Sequence, residues 1–126
     1  MKQLRLWLIA TGVVMSVTTA WADETRIAVA VEAAHIEAAV SPVAARAPHI
    51  LIFDTSKETA NPHANPVAAN PGGAGPALAR WLATQRVGTL IAGKFGAKLL
   101  RALEDNKIRA VTASGPAAKA VKESQQ

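Results

Sequence analysis

From residue 76 to residue 123 the chain alternates between helix-period and strand-like apolar patterns, and that alternation leaves few folds open. Residues 76–85 place Pro76 at a first-turn position and Leu78, Trp81 and Leu82 on one helical face. Residues 87–92 (VGTLIA) are a short, continuous apolar run that reads as a strand. The helical spacing returns over 97–106 with Leu99, Leu100 and Leu103, and a strand follows over 108–113 (IRAVTA). Ser114-Gly115-Pro116 then opens a last helix ending near Glu123. Strand–helix–strand–helix units of these lengths predict parallel strands with right-handed crossovers.

The first half supplies the rest of the sheet. In residues 26–32 (RIAVAVE), Ile27, Val29 and Val31 point one way and Ala28 and Ala30 the other, so neither face is wet. A loop over 33–48 carries Ile36, Ala39, Val40 and Val43 at helical spacing, which allows a short turn of helix limited by Pro42. Residues 49–55 (HILIFDT) form a second strand returning antiparallel to the first, with Asp54 capping the turn that follows. A short third strand is expected within 56–61, and residues 61–75 (NPHANPVAANPGGAG), rich in Asn, Pro and Gly, are expected to be loop. These elements assemble into a three-layer α/β/α domain.

Residues 1–22 read as a secretory leader: Lys2 and Arg5 precede an apolar stretch over 6–17, and Ala20-Trp21-Ala22 gives a small-x-small cleavage site. Cleavage after Ala22 would leave one domain over 23–126, periplasmic or secreted, with no membrane association thereafter. The chain has 14 Lys+Arg against 9 Asp+Glu, and two of those cations belong to the leader. The remaining surplus is mild and scattered, without the basic stripe and interleaved aromatics of a nucleic-acid surface, so nucleic acid is not an expected partner. There is no cysteine, and both methionines (Met1 and Met15) fall within the leader. The mature chain therefore contains no sulfur, which excludes cysteine-ligated iron–sulfur clusters and methionine-rich copper(I) sites.

Taken in order, the segments 26–32 (RIAVAVE), 41–54 (SPVAARAPHILIFD), 61–65 (NPHAN), 72–108 and 112–115 (TASG) span nearly the whole mature chain. Within 72–108, GGAGP and IAGKFG are the most specific pieces, joined by one helix and one strand. Together the segments resemble the dinitrogenase iron-molybdenum cofactor biosynthesis family, the nitrogenase accessory-factor domain. The resemblance implies a ribonuclease-H-like α/β/α motif with a mixed five-stranded sheet in order 3-2-1-4-5, strand 2 antiparallel. It also implies that such a domain binds or carries a metal–sulfur cluster or cofactor precursor rather than catalysing a reaction. Where the family reads Ser-x-His-Phe-Gly-Arg-Ala, this chain reads Ser41-Pro42-Val43-Ala44-Ala45-Arg46-Ala47; Arg46 and Ala47 match, and the family's histidine has no counterpart.

This topology brings candidate groups to the carboxyl edge of the parallel strands, where open α/β sheets hold ligands. His35, His49 and His63 are the candidate metal ligands. Arg46, Gly72, Gly73, Gly75, Lys94, Gly96 and Ser114 are the candidate contacts to a bound cluster or oxyanion. The glycine-rich turns precede three helix N-termini, each with free N–H groups and roughly half a positive charge. The expected guest is an anionic iron-molybdenum or molybdenum/copper–sulfur cluster, not covalently attached, that brings its own sulfide. A protein donor or acceptor is an expected second partner.

No catalytic constellation is visible: G-x-S-x-G, P-loop and HExxH motifs are absent, and Glu32, Glu37 and Asp54 show no paired geometry. The expectation is a non-catalytic, periplasmic metal-cluster binding or carrier protein. The alternative is an interaction module that keeps the fold without a ligand.

Overall fold

A computed structural model describes residues 26–125; the expected leader over 1–22 and its expected cleavage site lie outside these residues. Five strands form one sheet: β1 (Arg26–Val31), β2 (His49–Asp54), β3 (Thr59–Ala64), β4 (Thr89–Ala92) and β5 (Arg109–Thr112). Their spatial order is β3-β2-β1-β4-β5. β2 is antiparallel to both β1 and β3, while β1, β4 and β5 run parallel. This is the 3-2-1-4-5 sheet that the resemblance implies. Central β1 sets the register: Val31 lies opposite His49 on one side, and Val29 opposite Ile91 on the other.

Helices cover both faces. α1 (Ala74–Thr84) and α2 (Ala97–Asp105) pack on one side, where Leu78, Leu82, Leu99 and Leu103 meet Ala28, Ala30, Ile50, Ile52 and Leu90. α3 (Ala117–Ser124) covers the other with Ala117, Ala120 and Val121, against Ile27, Val29, Val31, Leu51 and Ile91. The alternation in β1 explains the asymmetry. Its alanines face the two leucine-bearing helices, and its branched residues face the single, alanine-rich helix. Truncating a fully buried leucine such as Leu78 would cost about 2–5 kcal/mol. Among the described residues no helix is long and apolar enough to cross a membrane.

Three local expectations need correction. β3 continues through Asn61, Pro62, His63 and Ala64, a stretch expected to be loop. The composition misleads because β3 is an edge strand, where a proline removes no ladder bond that the sheet interior needs. Helix α1 starts at Ala74, so Pro76 is its third residue; it is tolerated there because first-turn N–H groups have no intrahelical partner. The loop after β1 forms no helix over its first ten residues. Val40 instead bridges to Val31 and Ala39 to Pro116, and a single 3-10 turn follows at Ala44–Arg46. The β2–β3 turn behaves as expected, the Asp54 carboxylate accepting from the Ser56 amide (3.0 Å) and hydroxyl (2.6 Å).

Candidate functional site: a two-helix cradle at the sheet rim

Past the last residues of β1 and β4, the segment beginning at Ser41 folds back over the sheet rim. The Ser41 amide donates to the Ala30 carbonyl (2.6 Å), the Gly93 amide to the Ser41 carbonyl (2.9 Å), and the Ala44 amide to the Lys94 carbonyl (3.1 Å). Gly93 is required by this embrace, because a Cβ there would lie 2.8 Å from the Pro42 Cα. The turn before α2 and the 3-10 turn are thereby fixed side by side.

The N-terminus of α1 closes the third side. A Cβ on Gly75 would stand 3.1 Å from the N, Cα and Cβ of Leu99, so the first turns of α1 and α2 touch at their backbones. Between them and the 3-10 turn lies a cleft of about 380 Å³, lined by Val43, Ala45, Arg46, Ala74, Gly75, Gly96, Ala97, Lys98 and Leu99. Neither helix has a side-chain cap or an acidic residue in its first turn. Two sets of first-turn amides and two positive dipole ends therefore converge on one space with Arg46 and Lys98.

Arg46 has a second task. Its Nη1 donates to the carbonyls of Ala68 (3.0 Å) and Asn70 (2.7 Å), in the connection that leads to α1. Buried Asn65 clamps the start of that connection. Its Nδ2 donates to the Ala45 (3.2 Å) and Ala47 (2.8 Å) carbonyls, and its Oδ1 accepts from the Val67 amide (3.0 Å). Gly73, at φ +70°, then turns the chain into α1.

Of the expected cluster contacts, Arg46, Gly75 and Gly96 line the cleft. Gly72 and Gly73 sit in the approach to α1, exposed and outside the lining. Lys94 contributes its carbonyl to the Ala44 amide, and Lys98 is the lysine that lines the cleft. Ser114 belongs to the third expected turn, before α3, which is already spent. The Ala117 and Ala118 amides donate to the Ala38 (2.8 Å) and Ile36 (2.9 Å) carbonyls, and the Gly115 carbonyl accepts from Val40 (2.8 Å). The rim thus presents two open helix N-termini rather than three.

The histidines do not gather. His35 is exposed in the loop after β1, and His49 is half-buried at the start of β2, opposite Val31 and Ala64. His63, in β3, packs edge-on against Trp81 of α1, ring centroids 5.5 Å apart and planes at 74°. Among the described residues no group of three His, Asp or Glu side chains could hold a metal ion.

Two residues of the site were missed by sequence reasoning. Asn65, two positions before Val67, carried an Asx-turn signal inside a run read only as loop. Lys98 carried a sharper one, being a cation in the first turn of a helix with no acid to offset it, against the dipole preference.

Comparison with known proteins agrees with this architecture. The apo form of the orange protein from Desulfovibrio gigas superimposes with a TM-score of 0.76 at 27% identity, covering 80% of this chain and 87% of that one. The NMR structure of a putative NifB protein from Thermotoga shares the fold, with a TM-score of 0.69, 24% identity and coverage of 80% and 87%. No curated protein matches the chain. Residues 25–126 match the family described as Dinitrogenase iron-molybdenum cofactor. The chain belongs to that family.

Proposed function

We propose that this protein is a non-catalytic carrier, exported to the periplasm, that holds an anionic metal–sulfur cluster of iron-molybdenum or thiometallate type in the cleft between α1 and α2. One observation carries the reading: two uncapped, acid-free helix N-termini meet at the Gly75–Leu99 contact, beside Arg46 and Lys98. Such an arrangement lowers the free energy of a multiply charged anion through amide donation, dipole and guanidinium or ammonium charge together. The guest must bring its own sulfide, because the chain has no cysteine and its methionines lie in the leader.

The scattered histidines give the cluster a different anchorage from metal coordination. The cradle recognises the anion's charge and outer shell, so it can load and release cargo without breaking metal–protein bonds, as a carrier requires. Family membership and the likeness to an apo-form protein support the choice of cargo.

The test is uptake of tetrathiomolybdate by the protein without residues 1–22, followed by its visible absorption band. Arg46→Gln combined with Lys98→Gln is expected to weaken uptake at least tenfold, while the triple His35/His49/His63→Ala variant leaves it within twofold. Wild-type protein that takes up none, or a cradle variant that takes up as much as wild type, would defeat the reading.

A further inference from the structure

A second concavity adjoins the cradle. It runs between α1 and α2 on their outer side, with a volume of about 530 Å³. Its small residues are Pro76, Ala97 and Ala102, and its cations are Arg80 from α1 with Lys98 and Arg101 from α2. Asp105 is the only carboxylate in the lining. Among the described residues the side chains of Arg80, Lys98 and Arg101 make no ion pair or hydrogen bond with the protein, and Asp105 pairs with none of them. Ala97 and Lys98 line both cavities, so the groove lies directly beside the cradle.

Arg80, Lys98 and Arg101 are all exposed, so their charges stand free on facing walls to meet those of a partner. Lys98 and Arg101 are three positions apart and share one face of α2, while Arg80 projects from the facing helix. The small residues between them leave room for a third backbone to approach, as in helix-in-groove recognition. The charge pattern selects that helix: carboxylates repeating every three or four residues would meet all three cations at once. We infer that the α1–α2 groove docks an acidic helix of the protein that gives or receives the cargo. This rests on the carrier reading, and it places that helix beside Lys98, where the partner's own site can meet the cradle. Solvent-exposed charge pairs of this kind speed encounter and fix orientation as well as adding affinity.

The probe is a fluorescein-labelled, sixteen-residue helical peptide with glutamates at i, i+3, i+4 and i+7, and its glutamine counterpart, titrated by anisotropy at low salt. Arg80→Gln with Arg101→Gln is expected to weaken the glutamate peptide about tenfold, while Lys119→Gln with Lys122→Gln on α3 changes it less than twofold. The glutamine peptide is expected not to bind. Equal losses in the α3 variant, or displacement of the peptide by equimolar inorganic tripolyphosphate, would overturn the proposal: the first reveals unspecific charge attraction, the second a small-polyanion site. Tetrathiomolybdate uptake by the same variants separates the two readings. Peptide binding lost with uptake intact is the expected result for the Arg80/Arg101 pair. Wild-type protein that takes up tetrathiomolybdate but ignores the peptide sinks the groove alone, and one that binds the peptide but takes up no tetrathiomolybdate sinks the cradle.

Discussion

Gly75 lies so close to Leu99 that a methyl group on its α-carbon would stand 3.1 Å from that residue's N, Cα and Cβ. The contact joins two helix ends that are 24 positions apart in sequence, and it makes a single anion-facing surface from two otherwise separate turns. Gly75→Val would wedge the first turns apart. The expected loss is about 1–3 kcal/mol in urea denaturation, together with weakened tetrathiomolybdate uptake. Gly96→Ala is the control for stability alone, because its Cβ would meet nothing within 4 Å and its backbone is extended.

Asn65 holds the approach to α1 with three hydrogen bonds from a buried position. Replacing it with alanine leaves the Ala45 and Ala47 carbonyls and the Val67 amide short of a partner. A loss of about 2–4 kcal/mol is expected. Arg46→Ala should cost less than about 1.5 kcal/mol, since its bonds to Ala68 and Asn70 are exposed and water replaces them. The two variants thus separate the clamp from the charge: Asn65 governs stability, Arg46 uptake.

At the opposite end of β2, Ser56 donates its hydroxyl to the Asp54 carboxylate, which holds that group below its ordinary value of 3.8. Burial opposes it as the second-largest influence, and the Ser56 and Lys57 amides and the Lys57 charge each add a smaller lowering. A depressed folded value means that the ionised form favours the native state. Its contribution is complete above the unfolded value, near pH 4, and is lost as the pH falls through the folded value. Asp54→Asn should therefore destabilise the protein at neutral pH, and the difference from wild type should shrink as the pH falls below about 4. A difference that stays constant from pH 7 to pH 2 would show that ionisation of Asp54 contributes nothing.

How much of this could be read from residues alone follows the range of the interactions involved. Strand β1 and helix α1 write their burial into local periodicity, and so does α2 except at Leu100, expected in its buried stripe but 45% exposed; Ala28 and Ala30 against Val29 and Val31 even encode which face carries the larger helices. The strand through Pro62 was hidden because its composition is that of a loop and only its edge position makes it a strand. The spent N-terminus of α3 was equally hidden. Its amides are taken by the Ala38 and Ile36 carbonyls, about eighty positions away, and no local pattern records such a bond. His63 illustrates the same limit: its neighbour in space is Trp81, so the ring serves packing at the α1 face.

Lys98 offers the sharpest test of the cradle, because stability and binding should move in opposite directions. As a cation in the first turn of α2, with no acidic residue nearby in that turn, it opposes the helix dipole. Lys98→Glu reverses the sign and should stabilise the protein by about 0.3–1 kcal/mol at low ionic strength. The gain should shrink as salt screens the dipole. The same change sets a carboxylate against the anionic guest, so tetrathiomolybdate uptake should fall by more than tenfold. Lys94→Glu, whose residue lies outside the cleft lining, should weaken uptake less than Lys98→Glu does. A Lys98→Glu protein that is both more stable and fully competent in uptake would mean that the cation at this position serves something other than cargo.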